Sequence, residues 1–260
     1  MTIEKKLLGT TPVSSGIEPE AVSFDGSSDW LSRSSDLTGN TDGGIFTFSF
    51  FVYNSKDTGT IYRNQSGYVL LNFSTTTTCK LQAYATNGST VLINVEFTVP
   101  VDTFLGITLS VDLSNTANRH VYVNDSIPSG LTWITYTAGS ISFARGAHGV
   151  AARDDTGTTG LKCRLSNFFL DYTYRDLSVT ANRRLFIDAD GKPTDSDTIP
   201  SSPIVYLPMT DAATAGSNSG TGGDFTVNGV LATAERGPNQ DNCVAMKFDG
   251  SNDYIRKNSS

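Results

Sequence analysis

Ile45-Phe46-Thr47-Phe48-Ser49-Phe50-Phe51-Val52-Tyr53 is the stretch that decides the fold. Side chains of an extended chain point alternately to opposite faces, so Phe46, Phe48 and Phe50 share one side. A face of three phenylalanines must be buried against a second layer of structure. Strand signals continue on both sides of this segment. Downstream come Gly59-Thr60-Ile61-Tyr62, Tyr68 to Phe73, and the clean alternation of Lys80 to Tyr84. Asn87-Gly88 is a hairpin dipeptide, and Val91 to Val99 is its expected return strand, ended by Pro100. Leu105 to Asp112, His120 to Asp125, Ser140 to Phe143 and Cys163 to Tyr172 extend the series. Many short strands separated by turn residues, with little helix between them, predict an antiparallel sandwich.

Composition supports this. The 260 residues include 24 glycines and 14 phenylalanines, and glutamate occurs only at positions 4, 18, 20, 96 and 235. Scarce helix formers beside abundant Thr, Val, Ile, Phe and Tyr make a sheet composition. The net charge of −7 argues against nucleic acid as partner, because phosphate binding requires a basic face. Cys79, Cys163 and Cys243 are odd in number and widely spaced, which fits neither a disulfide framework nor a zinc site. Each is expected to fill the inner face of a strand. Membrane insertion is not expected, since no stretch approaches the roughly 18 apolar residues of a spanning helix.

One short helix is expected over 176–186, where Leu177, Ala181 and Leu185 stand at helical spacing. Residues 1–19 contain Pro12, Gly16 and Pro19 without periodicity, and are read as an extended arm, with a disordered terminus as the alternative. Ile3, Leu7 and Leu8 would lie across a partner if the arm docks. The expected organisation is an arm at 1–19, a sandwich at 20–191, and a Gly/Pro/Ser-rich extension at 192–260 whose strands pack on it. Within that extension the chain imitates its own beginning. Phe24-Asp25-Gly26-Ser27-Ser28-Asp29-Trp30-Leu31 returns as Phe248-Asp249-Gly250-Ser251-Asn252-Asp253-Tyr254-Ile255. Phe248, Tyr254 and Ile255 are therefore assembly candidates, filling a sheet edge of their own subunit or of a neighbour.

Phe24 to Leu31, the Phe46 to Tyr53 strand, the pair Leu105–Asp112 and Arg119–Asp125, and Arg164–Asp171 followed by 176–186 resemble a laminin-G-like, concanavalin A-type jelly roll in that order. Asn182 to Pro193 and Gly220 to Gly229 are similar to stretches of tailed-phage structural proteins carrying this fold. The resemblance implies an all-β antiparallel jelly-roll β-sandwich (concanavalin A-like, LamG-like) with one short helix and an N-terminal extended arm. It further implies a virion component assembled in the host cytoplasm, with other virion proteins and copies of itself as partners.

Two facing carboxylates are needed for glycoside hydrolysis, and no Glu-x-Asp-x-Glu exists here. No Gly-x-Ser-x-Gly elbow accompanies His120 or His148. An enzyme is not expected. For calcium, Asp25, Asp29, Asp188 and Asp190 offer hard oxygen ligands from turns, against the alternative that Asp-Gly is simply a favoured turn. For sugar, the candidates are Trp133, Tyr136, Tyr62 and His148. The expected function is a non-enzymatic phage surface protein that contacts host-surface carbohydrate. The alternative is a calcium-assisted lectin module.

Overall fold

The computed structural model describes residues 20–152, 160–234 and 237–238. In chain order the strands are β1 (Val22–Asp25), β2 (Trp30–Arg33), β3 (Ile45–Asn54), β4 (Gly59–Asn64) and β5 (Val69–Thr75). Then follow β6 (Thr78–Tyr84), β7 (Val91–Thr98), β8 (Phe104–Asp112), β9 (Arg119–Val123) and β10 (Thr132–Tyr136). The chain goes on through β11 (His148–Val150), β12 (Lys162–Asp171), β13 (Val205–Leu207), β14 (Thr226–Asn228) and β15 (Ala232–Thr233). They form two antiparallel sheets. The first runs β15-β1-β12-β3-β8-β9, with β13 also on β12; the second runs β10-β7-β6-β5-β4-β11-β2-β14.

The alternation of β3 sets the core. Phe46, Phe48 and Phe50 are fully buried between the sheets. Their rings meet edge to face: Phe46 lies 5.4 Å from both Phe48 and Phe143, and Phe48 lies 6.1 Å from Phe168. Each such ring contributes about 1.5–3 kcal/mol by leaving water. Cys79 and Cys163 are buried in the same core as free thiols, which burial pushes well above the usual range. Cys243 lies outside the described residues.

β1 belongs to one sheet and β2 to the other, so the turn between them carries the chain over the end of the sandwich. Asp25 holds that corner. Its Oδ1 accepts the backbone N–H of Ser27 and Ser28 at 2.8 Å and of Asp29 at 3.0 Å. Gly26 has φ +78°, and a Cβ there would lie 2.7 Å from the Lys162 nitrogen. Only glycine turns this corner cheaply.

The outer face of the first sheet is covered. Its hydroxyls pair across strands, Thr47 with Ser110 at 3.0 Å and Ser49 with Thr108 at 3.1 Å. The chain leaving β12 lies over them: Thr47 donates to the Thr173 carbonyl, and the Arg175 N–H donates to Ser110. Beside this, Phe51 and Phe104 pack under Ile187, and Phe169 and Tyr206 under Phe186.

Two local expectations need correction. The helix is a single turn, α1 (Thr180–Arg183), rather than 176–186. Val179 and Thr180 are poor helix formers, and Arg183 and Arg184 both reach Asp125, which bends the chain onto the sheet. Leu177 and Phe186 are buried by that bend rather than by a helical stripe. Ser140–Phe143 is not a strand: Ile141 alone makes bridges, to Gly43 and Ala85. The described part of the extension is built into the sandwich, with β13 and β15 in the first sheet and β14 in the second. Among the described residues no helix is long and apolar enough to cross a membrane.

Candidate functional site

With one outer face covered, the other is where chemistry can be displayed. On the second sheet, Leu71, Leu81, Ala83 and Val95 point into the core. Period-two alternation therefore sends their neighbours outward. The register places Arg63 beside Leu70, Leu70 beside Gln82, and Gln82 beside Asn94, one row across β4-β5-β6-β7. The next row holds Asn72, Lys80 and Glu96. Lys80 and Glu96 are ion-paired at 3.2 Å, so this row is close to neutral.

Two recesses lie on this face. The first, about 310 Å³, is lined by Arg63, Ser66, Gly67, Tyr68, Leu70, Gln82, Tyr84 and Gly88. The second, about 450 Å³, is lined by Thr58, Gly59, Thr60, Arg63, Leu70, Asn72, Phe73 and Ser74. Arg63 and Leu70 line both and so join them into one groove. The Gly88 turn closes against Tyr68, whose hydroxyl stands 2.3 Å from where a Cβ would sit. The Arg145 guanidinium stacks 3.8 Å above the Tyr68 ring and fixes it. On the same face, the side-chain oxygens of Asn72 and Asn94 are buried without a hydrogen-bond partner. Buried amide oxygens are rarely left so, and each is an acceptor suited to a ligand hydroxyl.

None of the residues selected from sequence lines this groove. Tyr62 and His148 do meet, but inside: both are fully buried, and Tyr62 Oη lies 2.9 Å from His148 Nδ1. No surface ligand touches either, which removes them as contact residues. Their strands, β4 and β11, are central in the sheet. Trp133 and Tyr136 also meet, with ring centroids 5.2 Å apart. They face inward opposite Val95 and Ile93 and pack on the core edge. Arg119 lies over both rings, at 5.5 and 5.4 Å. The Tyr136 hydroxyl donates to the Asp112 and Asn118 carbonyls, and burial pushes this phenol up to about 12. This pair closes a sandwich edge instead of offering a platform.

The calcium candidates fall in two separate turns. Both oxygens of Asp25 serve its own corner, Oδ2 accepting the Ser27 and Ser28 hydroxyls at 2.9 and 2.6 Å. Asp29 Oδ1 accepts the Val230 N–H at 2.9 Å. Asp188 Oδ1 accepts the N–H of Asp190 and of Lys192. Among the described residues no three His, Cys, Asp or Glu side chains gather as a metal would need. The Asp25, Asp29 and Asp188 carboxylates are each engaged in a turn or backbone contact. The assembly candidates Ile3, Leu7, Leu8, Phe248, Tyr254 and Ile255 lie outside the described residues.

The groove was missed because its residues are individually ordinary. Lys80-Leu81-Gln82-Ala83-Tyr84 alternates cleanly, and its outward set of Lys80, Gln82 and Tyr84 was the available signal. His148 also carried one. It sits in Ala147-His148-Gly149-Val150-Ala151-Ala152, a run of small, mostly apolar residues typical of a strand buried on both faces.

Two stacked antiparallel sheets with this order and very little helix define an antiparallel jelly-roll β-sandwich. A candidate carbohydrate-binding protein from Bacteroides ovatus ATCC 8483 matches with a TM-score of 0.55 at 11% identity, over 84% of this chain and 60% of that one. A native heptameric SAP-like pentraxin from Limulus polyphemus gives a TM-score of 0.46 at 15% identity, over 62% of this chain and 81% of that one. The LG1-3 region of the laminin alpha2 chain gives 0.35 at 14% identity, over 63% and 33%. At such identities the likeness concerns the fold. The chain spans less than two thirds of the Bacteroides protein. No protein-family model matches the chain, and no curated protein matches its sequence.

Proposed function

We propose that the chain is a non-enzymatic carbohydrate-binding module that uses the groove on the second sheet. The observation that carries this reading is the joined pair of recesses, with Tyr68, Tyr84, Gln82, Leu70 and Arg63 across three neighbouring strands. Sugars present hydroxyls around a ring with apolar faces, and tyrosines, a leucine and amides answer both features. The unpartnered oxygens of Asn72 and Asn94 add acceptors on the same face. The fold shared with the candidate carbohydrate-binding protein of Bacteroides ovatus is compatible with this use. Among the described residues neither recess is lined by Asp or Glu, the side chains that glycoside hydrolysis uses in pairs. Binding to a glycan array by the wild type, and its loss in Tyr84→Ala, is the test. An array showing no glycan above background would overturn the reading.

The sequence resemblance to tailed-phage structural proteins supports reading such a module as part of a particle surface, where it would pair with other virion proteins and with its own copies. The sheet edges seen among the described residues support association. Among the described residues β10 and β14 end the second sheet, and exposed Ile134, Val227 and Val230 lie on or beside them. Light scattering on the full chain tests this part: a monomer at all concentrations would remove self-association from the proposal.

A further inference from the structure

We infer that the first sheet carries a second binding site, for a tetrahedral oxyanion (a phosphate or sulfate group), between Arg164 and Lys162 of β12. A recess of about 160 Å³ lies there, and its polar lining is Ser23, Ser55, Lys162 and Arg164 beside the Tyr53 ring. Pockets for drug-sized ligands begin near about 300 Å³. This one therefore has room for a small group and not for a run of sugars. The register assembles it from three strands, because Ser23 of β1, Arg164 of β12 and Tyr53 of β3 are neighbours in one outward row. Phe51, two residues before Tyr53 on the same face, is covered by Ile187, whereas Arg164 is only half-buried and Lys162 is exposed.

Arg164 is held in place without being neutralised. Its guanidinium carbon stands 4.3 Å from the centre of the Tyr53 ring. Stacking fixes the plane of the group and leaves its N–H edges for an acceptor. Among the described residues, ion pairs take up Lys56, Lys80, Arg175, Arg183 and Arg184, but neither Arg164 nor Lys162. Asp25 and Asp57 stand nearby, and both are turned to backbone. Asp25 accepts the N–H groups of its own corner, while Asp57 accepts those of Thr58 and Lys162. Neither lines the recess.

Lys162 and Arg164 are two residues apart on one strand, so their side chains leave the same face about 7 Å apart. Two like charges so placed repel, and an anion between them turns that repulsion into attraction. The Ser55 hydroxyl donates to the Lys162 carbonyl at 2.8 Å and is spent on the scaffold. The Ser23 hydroxyl has no partner among the described residues and is the remaining neutral donor. Donors from β1 and β12 then approach from different directions. That suits a group with oxygens on every side better than a planar carboxylate, and guanidinium and ammonium are the usual partners of phosphate.

The test is a titration of the ¹⁵N-labelled full chain with sodium phosphate, sodium sulfate, sodium acetate and glucose 6-phosphate, at pH 7 and constant ionic strength, read on the backbone amide resonances. Phosphate and sulfate are expected to move Ser23, Lys162 and Arg164 saturably, with a Kd of about 1 mM or tighter, and acetate to bind at least about fivefold more weakly. Arg164→Gln should weaken phosphate at least about fivefold, and Arg164→Lys should recover only part of the loss. The wild type alone gives an answer whatever the variants do to folding. Glucose 6-phosphate no tighter than phosphate makes the free ion a sufficient ligand, and tighter binding assigns the site to such a group on a larger molecule. Shifts that never saturate, shifts confined to other parts of the chain, or acetate as tight as phosphate overturn the inference. So does a folded Arg164→Gln that binds phosphate unchanged.

Discussion

The Tyr62 hydroxyl donates to His148 Nδ1 across 2.9 Å in the centre of the sandwich, joining residues 86 positions apart with no solvent exposure at either. The direction of the bond follows from the other ring nitrogen. His148 Nε2 faces two acceptors, Asp36 Oδ1 at 3.1 Å and the Arg145 carbonyl at 3.0 Å. It must carry the proton, which leaves Nδ1 as acceptor for the phenol. The network pins β4 to β11 and ties both to the segment that holds Arg145 above Tyr68. A buried polar chain of this kind stabilises only when every member is satisfied.

Replacing Tyr62 by Phe keeps the ring and its packing against Phe48 and Phe168 but orphans His148 Nδ1. A buried acceptor without a donor costs about 1–3 kcal/mol. The urea midpoint of Tyr62→Phe should fall accordingly at pH 8, with an unchanged denaturant slope. An unchanged midpoint would mean that the bond contributes nothing.

Acid should act through the same histidine. Burial holds the His148 imidazole below its ordinary value near 6.5, and Arg33 pushes the same way, while Asp36 and the Arg145 carbonyl oppose them. Tyr62 faces the other ring nitrogen and is neutral, since burial raises its own ionisation far above physiological pH. The unfolded chain takes up the proton near 6.5, and the folded protein only at lower pH. Between these values the unfolded state binds more protons, so stability is full above about pH 6.5 and declines as pH falls below it. His120 adds in the same direction, lowered by partial burial against the pull of Asp176. The Cε1–H resonance of His148, followed by NMR, should remain that of a neutral ring below pH 6.5. Titration at or above that pH would refute the argument.

Much of the sandwich was legible because alternation leaves few choices. Once Phe46, Phe48 and Phe50 must share a face, β3 is a strand, and the same logic finds β6, β8 and β12. Phe51 and Tyr53 break the alternation rule, since they look outward and yet are covered, Phe51 by Ile187. Nothing local in the sequence tells an outward aromatic beneath a returning segment from one facing water. The site was less legible for a related reason. Sequence reading favours large aromatics, but Tyr62 is large because it fills the interior and Trp133 because it closes the core edge. Arg63, Gln82 and Tyr84 become a groove only when three strands are laid side by side in register, and that register is a long-range property of the fold.

Calcium should be irrelevant to stability at the β1–β2 corner. The Asp25 carboxylate is held well below its usual range, first by the Ser28 hydroxyl and then by the backbone N–H of Ser27 and Ser28. Its contribution is present above the ordinary carboxylate value near 3.8 and is lost as pH falls through the lower folded value. A chelator should leave the melting temperature unchanged, whereas Asp25→Ala, which orphans three backbone donors, should destabilise by about 1 kcal/mol. A melting temperature that drops on chelation would restore a metal to this corner.

Trp133 and Tyr84 should separate stability from recognition. Trp133 is partly buried against the core edge, wedged between Tyr136 and Arg119. Truncation to Ala leaves a cavity where β10 meets the β8–β9 hairpin, and a loss of about 2–3 kcal/mol is expected, below the full cost of a buried Trp because the site is only half covered. Its effect on sugar affinity should be within twofold, because it faces away from the groove. Tyr84 lies on the outer face and lines the first recess. Tyr84→Ala removes little from the core, so its melting temperature should move by no more than a few degrees, while glycan affinity falls about tenfold with the loss of a stacking surface. Parallel calorimetric melting and glycan titration of the two variants would check the contrast. If Trp133→Ala abolished binding while Tyr84→Ala left it intact, recognition would belong to the sandwich edge and not to the face of the second sheet.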